Sequence, residues 1–202
     1  MRTQTLSSIK LRQYQAECVE KIEKLFDFLC TVSCYCLVLP TGAGKSVIIG
    51  AVIDSIFKTF EWDDLSILVC SWSRRIVKQD YEKCEALNTS RNVVYSQISD
   101  NKFVGKDRTN GRSLIDFCTV QSMPNFNVGK CYDVIIVDEC HKMYVGTAGY
   151  KEIVSRMRNS NGELRNKESD TIVLGLTATP YRNRKESVLD QKMFVPVEDP
   201  VT

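Results

Sequence analysis

The chain has no uninterrupted apolar run near the roughly 20 residues that a membrane-spanning helix needs, so we expect no membrane partner. Its start, residues 1–6, lacks the apolar core of a secretory signal. It contains no internal repeat and no low-complexity segment. These absences favour a soluble intracellular protein, and 202 residues are enough for one substantial domain but short for two.

Histidine and clustered cysteine are also scarce. His141 is the single histidine and no Cys-x-x-Cys pair occurs, so the chain offers no convincing zinc site. The nine cysteines are odd in number, and several, such as Cys36, Cys70 and Cys118, lie in apolar runs. We therefore expect reduced, mostly buried thiols. A net charge of +2 gives no global argument for a nucleic-acid partner, so any basic patch must be local.

Strand-like and helix-like segments alternate along the chain. Short apolar runs predict strands at residues 34–39, 65–70, 92–96, 114–119, 132–137 and 171–176. Helical spacing is predicted for residues 18–29, 45 to about 60, 73–79 and 150–157, with surface loops at 100–111 and 159–170. This alternation indicates an α/β fold, a mostly parallel sheet with helices on both faces. Ligands then bind at the carboxyl ends of the strands.

A glycine-containing loop joins the first of these strands to an apolar helix. Its residues are Pro40, Thr41, Gly42, Ala43, Gly44, Lys45 and Ser46. The loop's backbone N–H groups and the helix N-terminus point at one spot, which makes that spot an anion site. Lys45 adds a positive charge for the outer phosphates, and the Ser46 hydroxyl is placed to bind Mg²⁺. Gly42 and Gly44 allow close approach of the backbone to the phosphates.

Two acids follow the apolar strand at residues 132–137. Asp138 would face the phosphate loop and hold Mg²⁺, and Glu139 would orient or deprotonate an attacking water. His141 lies three residues past Asp138 and is favoured as a coupling hydrogen-bond partner near the γ-phosphate. The alternative interpretation is a strand that ends in surface acids beside a structural histidine.

A basic cluster opens the helix after the second strand. Arg74, Arg75 and Lys78 would offer positive charge and backbone N–H groups to a phosphodiester backbone. A solvated helix face explains the same cluster without any ligand. For the basic residues between positions 102 and 112, a solvated loop is the favoured interpretation.

The order of these segments resembles the first motor domain of a superfamily 2 helicase of the DExH type. The resemblance rests on Gln15, the loop 40–46, Asp138-Glu139-Cys140-His141 and Thr177-Ala178-Thr179-Pro180. Residues 175–182 are especially similar to the branch of type III restriction subunits and DNA-remodelling translocases. The resemblance implies a RecA-like P-loop NTPase. Residues 1–184 would form the helicase ATP-binding domain, and residues 185–202 a tail or the start of a linker to a second motor domain.

The resemblance also implies a role for each matching position. The catalytic residues would be Lys45, Asp138, Glu139 and His141. ATP would be bound by Arg12, Gln15, Pro40, Thr41, Gly42, Ala43, Gly44, Lys45 and Ser46, with Gln15 at the adenine edge. Mg²⁺ would be bound by Ser46 and Asp138. Nucleic-acid contact and coupling would involve Ser73, Arg74, Arg75, Thr119, Gln121, Ser122, Thr177 and Thr179.

The expected activity is ATP-dependent movement on, or unwinding of, nucleic acid, with DNA favoured over RNA and a location in the cytoplasm, nucleoid or nucleus. A second helicase domain, in cis or in trans, would close over the nucleotide and supply an arginine finger. Two other functions stay open from the sequence. One is a nucleotide-binding regulator without motor activity, and the other is the ATPase subunit of a restriction-type nuclease complex.

Overall fold

The structure is a computed structural model that describes residues 10–27, 34–59, 65–87, 93–99, 102–105, 113–126, 130–158, 170–183, 186–187 and 195–196. Its helices are α1 (Gln13–Asp27), α2 (Lys45–Thr59), α3 (Arg74–Leu87) and α4 (Ala148–Val154), with 3₁₀ turns at Val120–Asn125 and Cys140–Lys142. Its strands are β1 (Cys34–Val38), β2 (Ser66–Ser71), β3 (Val93–Ser99), β4 (Lys102–Gly105), β5 (Ser113–Thr119), β6 (Val134–Asp138), β7 (Ile172–Thr177), β8 (Tyr181–Asn183), β9 (Glu186–Ser187) and β10 (Val195–Pro196).

Eight strands form one sheet in the order β10-β1-β7-β6-β2-β5-β3-β4. Every pair in it is parallel except β3 with β4, while β8 and β9 form a separate antiparallel pair. Val38 is aligned with Thr177, and Asp138 with Leu176. The ends of β1, β7 and β6 therefore lie at one level of the sheet, and this level carries the predicted nucleotide site.

Alternate strand residues build two cores, one on each face of the sheet. Ile67 and Val69 of β2 pack with apolar residues of α1, α2 and α3. Leu68 and Cys70 of the same strand pack with α4 and the 3₁₀ turns. Since side chains alternate between faces at a period of two, one strand can serve both cores. The predicted fold class, a mostly parallel sheet with helices on both faces, is confirmed.

Helices α2 and α3 lie side by side on the first of these faces. A Cβ atom at Gly50 of α2 would lie 2.5 Å from Leu87 Cδ1 and 3.4 Å from Cys84 Cα of α3. A larger residue there would have to displace the Leu87 side chain, so glycine suits the close packing of the two helices. Ser46, one turn earlier on α2, contacts Gln79 on α3, so the two helices run in the same direction. This direction follows from two right-handed crossovers in a parallel sheet.

Two local predictions were wrong. The predicted loop at 100–111 contains β4, a short antiparallel edge strand that the polar sequence around it concealed, since edge strands carry polar and charged residues. The helix predicted for 150–157 instead spans Ala148–Val154. Thr147 caps its start by accepting from Tyr150 N, and a tighter turn from Arg156 N to Ile153 O follows its end.

Other predictions fall outside the described residues or are extended by the structure. Nearly all of the loop predicted for 159–170 lies outside them. In the predicted tail, β10 adds to the sheet beside β1, and the domain boundary at residue 184 stays a prediction. The cysteines that the structure describes are all free and mostly buried, as expected. Among the helices of the described ranges, none has the length and apolarity to cross a membrane.

Candidate nucleotide and nucleic-acid site

The phosphate loop has the backbone that its glycines predict. Gly42 and Gly44 adopt φ of +80° and +74°, the left-handed region that favours glycine. A Cβ atom at Gly44 would also lie 2.7 Å from the Gln15 amide nitrogen, whereas one at Gly42 would meet nothing within 4 Å. Gly44 is therefore constrained by its neighbour as well as by its backbone.

The start of α1 braces this loop through two side chains. Gln15 Nε2 and Tyr14 Oη both donate to the carbonyl oxygen of Ala43, each at 2.9 Å. Gln15 Oε1 accepts from the backbone N–H of Arg12 at 3.0 Å. Both ends of the Gln15 amide are thus engaged with the protein, and its reading of an adenine edge stays a prediction. Arg12 itself has an exposed side chain.

An open cavity of about 490 Å³ lies between α1 and the loop. It is lined by Tyr14, Glu17, Cys18, Lys21, Leu39, Pro40, Thr41, Gly42 and Ala43. This volume is within the range of small-molecule sites, and the cavity continues the phosphate loop on the side of the predicted adenine contact. Tyr14 was missed by the sequence reasoning, although it stands next to Gln15 in the segment that was singled out.

The two acids at the end of β6 have different environments. Asp138 is buried, and burial together with the Glu139 charge raises its pKa to about 6, although Lys45 and the Glu139 N–H oppose the rise. Its Oδ1 accepts from that N–H at 2.9 Å. Glu139 has φ of 58°, and no other non-glycine residue of the described ranges has a positive φ. Such backbone conformations are uncommon outside glycine and concentrate at functional sites.

A chain of polar contacts crosses the ends of three strands. Lys45 Nζ lies 3.4 Å from Glu139 Oε1, and Glu139 Oε2 lies 3.2 Å from His141 Nδ1. His141 Nδ1 lies 2.9 Å from Thr177 Oγ1, which accepts from Thr179 N at 3.1 Å. Burial lowers the pKa of His141 despite the opposing effect of Glu139, so the imidazole is neutral at pH 7. The phosphate loop, both acids, the histidine and the two threonines are therefore brought together.

The donor atoms here fit Mg²⁺ better than a transition metal. In the part of the chain that the structure describes, no three His, Cys, Asp or Glu side chains are grouped so as to hold a metal by themselves. Ser46 and Asp138 offer a hydroxyl and a carboxyl, the hard oxygen ligands of Mg²⁺. Mg²⁺ is commonly held by one or two carboxylates together with substrate phosphates and water. The small protein ligand set is therefore compatible with Mg²⁺ bound along with a nucleotide.

Two residues of α3 at this site were missed from the sequence. Gln79 Nε2 donates to Ser46 Oγ at 3.0 Å. The next residue, Asp80, is fully buried with no hydrogen-bond partner for either carboxyl oxygen within the described ranges. Burial first, and then the Asp138 charge, raises its pKa to about 8. A signal did exist, because Asp80 lies three residues after Val77 and four before Cys84, on the apolar face of the helix.

The predicted nucleic-acid residues follow β2 and β5, farther along the same edge. Arg74 and Arg75 are exposed at the first turn of α3, and Gln121 is exposed. Thr119 and Ser122 are buried instead, with their hydroxyl oxygens 2.8 Å apart. The exposed Arg74, Arg75 and Gln121 are accessible to a ligand. The buried hydroxyls of Thr119 and Ser122 contact each other and stabilise the 3₁₀ turn Val120–Asn125. Ser73 accepts from Val77 N through its carbonyl oxygen at the start of α3.

Solved structures with a similar fold include a restriction-modification enzyme, an ATPase core and a helicase. A nuclease-deletion mutant of the type ISP restriction-modification enzyme LlaGI, solved with a DNA substrate mimic, matches with a TM-score of 0.67 at 15% identity over 93% of this chain. The Sulfolobus solfataricus SWI2/SNF2 ATPase core, solved with double-stranded DNA, matches with a TM-score of 0.62 at 17% identity over 89%. The UvsW helicase of bacteriophage T4 matches with 0.60 at 17% over 93%.

The chain spans 19%, 34% and 59% of the length of these three proteins, respectively. At such identities the likeness shows the fold alone, and the fold is the predicted RecA-like one. No curated protein matches the sequence. The family described as "Type III restriction enzyme, res subunit" matches residues 8–182, nearly the whole span over which the motifs were recognised. The chain therefore belongs to the family of type III restriction enzyme res subunits, as its ordered motifs predicted.

Proposed function

We propose that this chain is the ATP-binding first motor domain of a DNA translocase or helicase. The observation that carries the proposal is the continuous contact path from Lys45 through Glu139 and His141 to Thr177. It connects the phosphate loop to the end of β7. Family membership supports it, since the motifs at both ends of the path are those of the resemblance.

The ion pair between Lys45 and Glu139 gives the path a way to respond to nucleotide. A triphosphate in the loop would compete for the Lys45 ammonium, because phosphate oxygens and the Glu139 carboxylate seek the same charge. Lys45 and Glu139 are both shielded from solvent, which strengthens this competition. Once its ion pair with Lys45 is broken, Glu139 is able to orient or deprotonate a water. Because Glu139 also contacts His141, a movement of its carboxylate would shift His141 and, through it, Thr177.

Ser46 and Asp138 would hold Mg²⁺, which when bound neutralises charge on the outer phosphates. Asp138 lies behind Glu139 in a buried position, and its contact with the Glu139 N–H fixes the carboxyl orientation. Gln15 and Tyr14 hold the carbonyl of Ala43, so the loop is shaped before a nucleotide arrives. The base would occupy the cavity beside Tyr14.

Nucleic acid would lie along the ends of β2 and β5, where Arg74 and Arg75 are exposed. DNA is favoured over RNA, because two of the structural neighbours carry DNA or a DNA mimic. A second motor domain, in cis or in trans, would complete the nucleotide site with an arginine finger. The free thiols of the described cysteines support action inside the cell.

The decisive experiment compares two lysines of the same helix. Lys45→Ala removes the charge in the first turn of α2, and Lys58→Ala removes an exposed lysine in its last turn. Binding of a fluorescent ATP analogue should be lost in the first variant and unchanged in the second. DNA should alter analogue affinity in the wild type, measured with single-stranded DNA, duplex DNA and RNA. Equal binding by both variants would refute the proposal.

A restriction-type complex is the second candidate. The family description and the likeness to a type ISP restriction-modification enzyme favour it. In that setting the chain would supply ATP-driven movement to a nuclease. Affinity purification from the native cells tests this, since recovery of a nuclease with the chain is expected only for such a complex.

A further inference from the structure

Asp80 is a buried acid that the proposed function does not use. It lies on the face of α3 that packs against the sheet and α2, between Val77 and Cys84. Its exposed fraction is 0%, and neither carboxyl oxygen has a hydrogen-bond partner among the described residues. Leaving a buried polar group unpaired costs about 1–3 kcal/mol, and more for a charged group. A buried, unpaired carboxyl that lowers stability in this way suggests a functional role for Asp80.

The groups around the Asp80 carboxyl belong to the candidate nucleotide site. The charged groups that act on the Asp80 carboxyl are Asp138, Lys45 and Glu139, all members of the nucleotide site. The Ser46 hydroxyl also acts on it, although the two groups do not reach hydrogen-bond geometry in this structure. Asp80 thus faces the first turn of α2, behind the phosphate loop.

Ser46 leaves one hydrogen-bonding direction open toward this acid. A serine hydroxyl has one hydrogen to donate and two lone pairs to offer. One lone pair of Ser46 Oγ accepts from Gln79 Nε2 at 3.0 Å. If the other lone pair serves Mg²⁺, the hydroxyl hydrogen must point elsewhere, and the carboxyl of Asp80 is an acceptor without a partner.

We propose that Asp80 is a positioning residue for Mg²⁺ binding, which accepts the hydroxyl hydrogen of Ser46 and so turns a lone pair of Ser46 Oγ toward the metal. The inference rests on the proposed function, because it needs a nucleotide–Mg²⁺ complex in the loop. It adds Gln79 and Asp80 as a second layer that orients the metal ligand, in the way outer-shell groups orient ligands at other metal sites. It also explains an acid on an otherwise apolar helix face.

The test measures how much Mg²⁺ improves binding of a fluorescent ATP analogue, as the ratio of affinities with Mg²⁺ and with EDTA. Asp80→Leu should lower this ratio about tenfold while leaving the affinity in EDTA within about twofold, which corresponds to one lost hydrogen bond. Asp80→Asn keeps an acceptor oxygen and should lose less. Asp80→Leu should also melt a few degrees higher without ligand, since it removes an unpaired buried acid.

A double-mutant cycle separates positioning from a general packing effect. Ser46→Ala should lower the Mg²⁺ ratio, and adding Asp80→Leu to it should lower the ratio no further. Cys84→Ala, one turn along the same face of α3, is the matched control and should leave the ratio unchanged. Additive losses in the double variant, or an unchanged ratio in Asp80→Leu, would overturn the inference alone. A wild type that binds no nucleotide in either buffer would instead overturn the proposed function.

Discussion

Replacing Thr177 by valine should separate stability from coupling, and the same strand supplies the control. Thr177 is the last residue of β7 and Thr171 immediately precedes its first, and both are fully buried. Thr177 Oγ1 donates to Thr179 O at 3.0 Å, accepts from Thr179 N at 3.1 Å and lies 2.9 Å from His141 Nδ1. Thr171 Oγ1 donates to Tyr132 O at 2.7 Å and accepts from Arg158 N at 2.8 Å. Each hydroxyl therefore serves two partners.

The expected loss of stability is similar for the two variants. Valine matches threonine in shape, so no cavity forms and the loss comes from the hydrogen bonds. At about 0.5–1.5 kcal/mol each, the two bonds of Thr171 give about 1–3 kcal/mol in the free energy of unfolding and the three of Thr177 about 1.5–4.5 kcal/mol. Thr179 is exposed, so water can replace part of what Thr177→Val removes. Urea unfolding of both variants measures these losses.

Only Thr177→Val should change the coupling between the two ligands. The coupling is the factor by which duplex DNA changes the affinity of an ATP analogue, and linkage makes it reciprocal. Removing one positioning hydrogen bond of about 1.4 kcal/mol should reduce this factor about tenfold. Thr171→Val lies at the far end of the strand and should leave the factor unchanged. Equal coupling in both variants would refute the idea that the Thr177 contact transmits the nucleotide state.

Three further predictions concern the loop, the buried acid and the histidine. Gly44→Ala should weaken binding of an ATP analogue far more than Gly42→Ala, because both need left-handed backbone but only the first would also overlap a neighbour, at 2.7 Å. With its pKa raised from 3.8 to about 8, Asp80 is harder to ionise in the folded chain than in the unfolded one, so the penalty of its charge is absent below pH 4 and grows as pH rises toward 8. The unfolding free energy without Mg²⁺ should therefore fall over this range by ~5 kcal/mol at most, and Asp80→Asn should flatten the curve. Glu139→Gln should lower the pKa of His141 further, because it removes the carboxylate that opposes burial, and the single histidine makes the NMR titration unambiguous.

The chain's local patterns predicted much of the fold and singled out the residues of the candidate nucleotide site. Apolar runs and helical periods placed the strands and helices, since these periods follow from backbone geometry alone. The residues of the phosphate loop and the acids at positions 138 and 139 were found because their chemistry requires fixed types at fixed spacing. Their convergence followed from the rule that parallel strands end at one edge.

Folding in three dimensions added what no local pattern contained. The strand order put β7 between β1 and β6, so Thr177 could reach His141 from a distant part of the chain. The edge strand β4 escaped notice because its pairing with β3 depends on a neighbour and little on its own side chains. The helical period places Asp80 on the apolar face of α3, but only the packing of α2 beside α3 shows that it lies buried behind Ser46. Burial and contacts between distant segments of the chain arise only in the folded molecule, and they set the protonation state and the neighbours of Asp80.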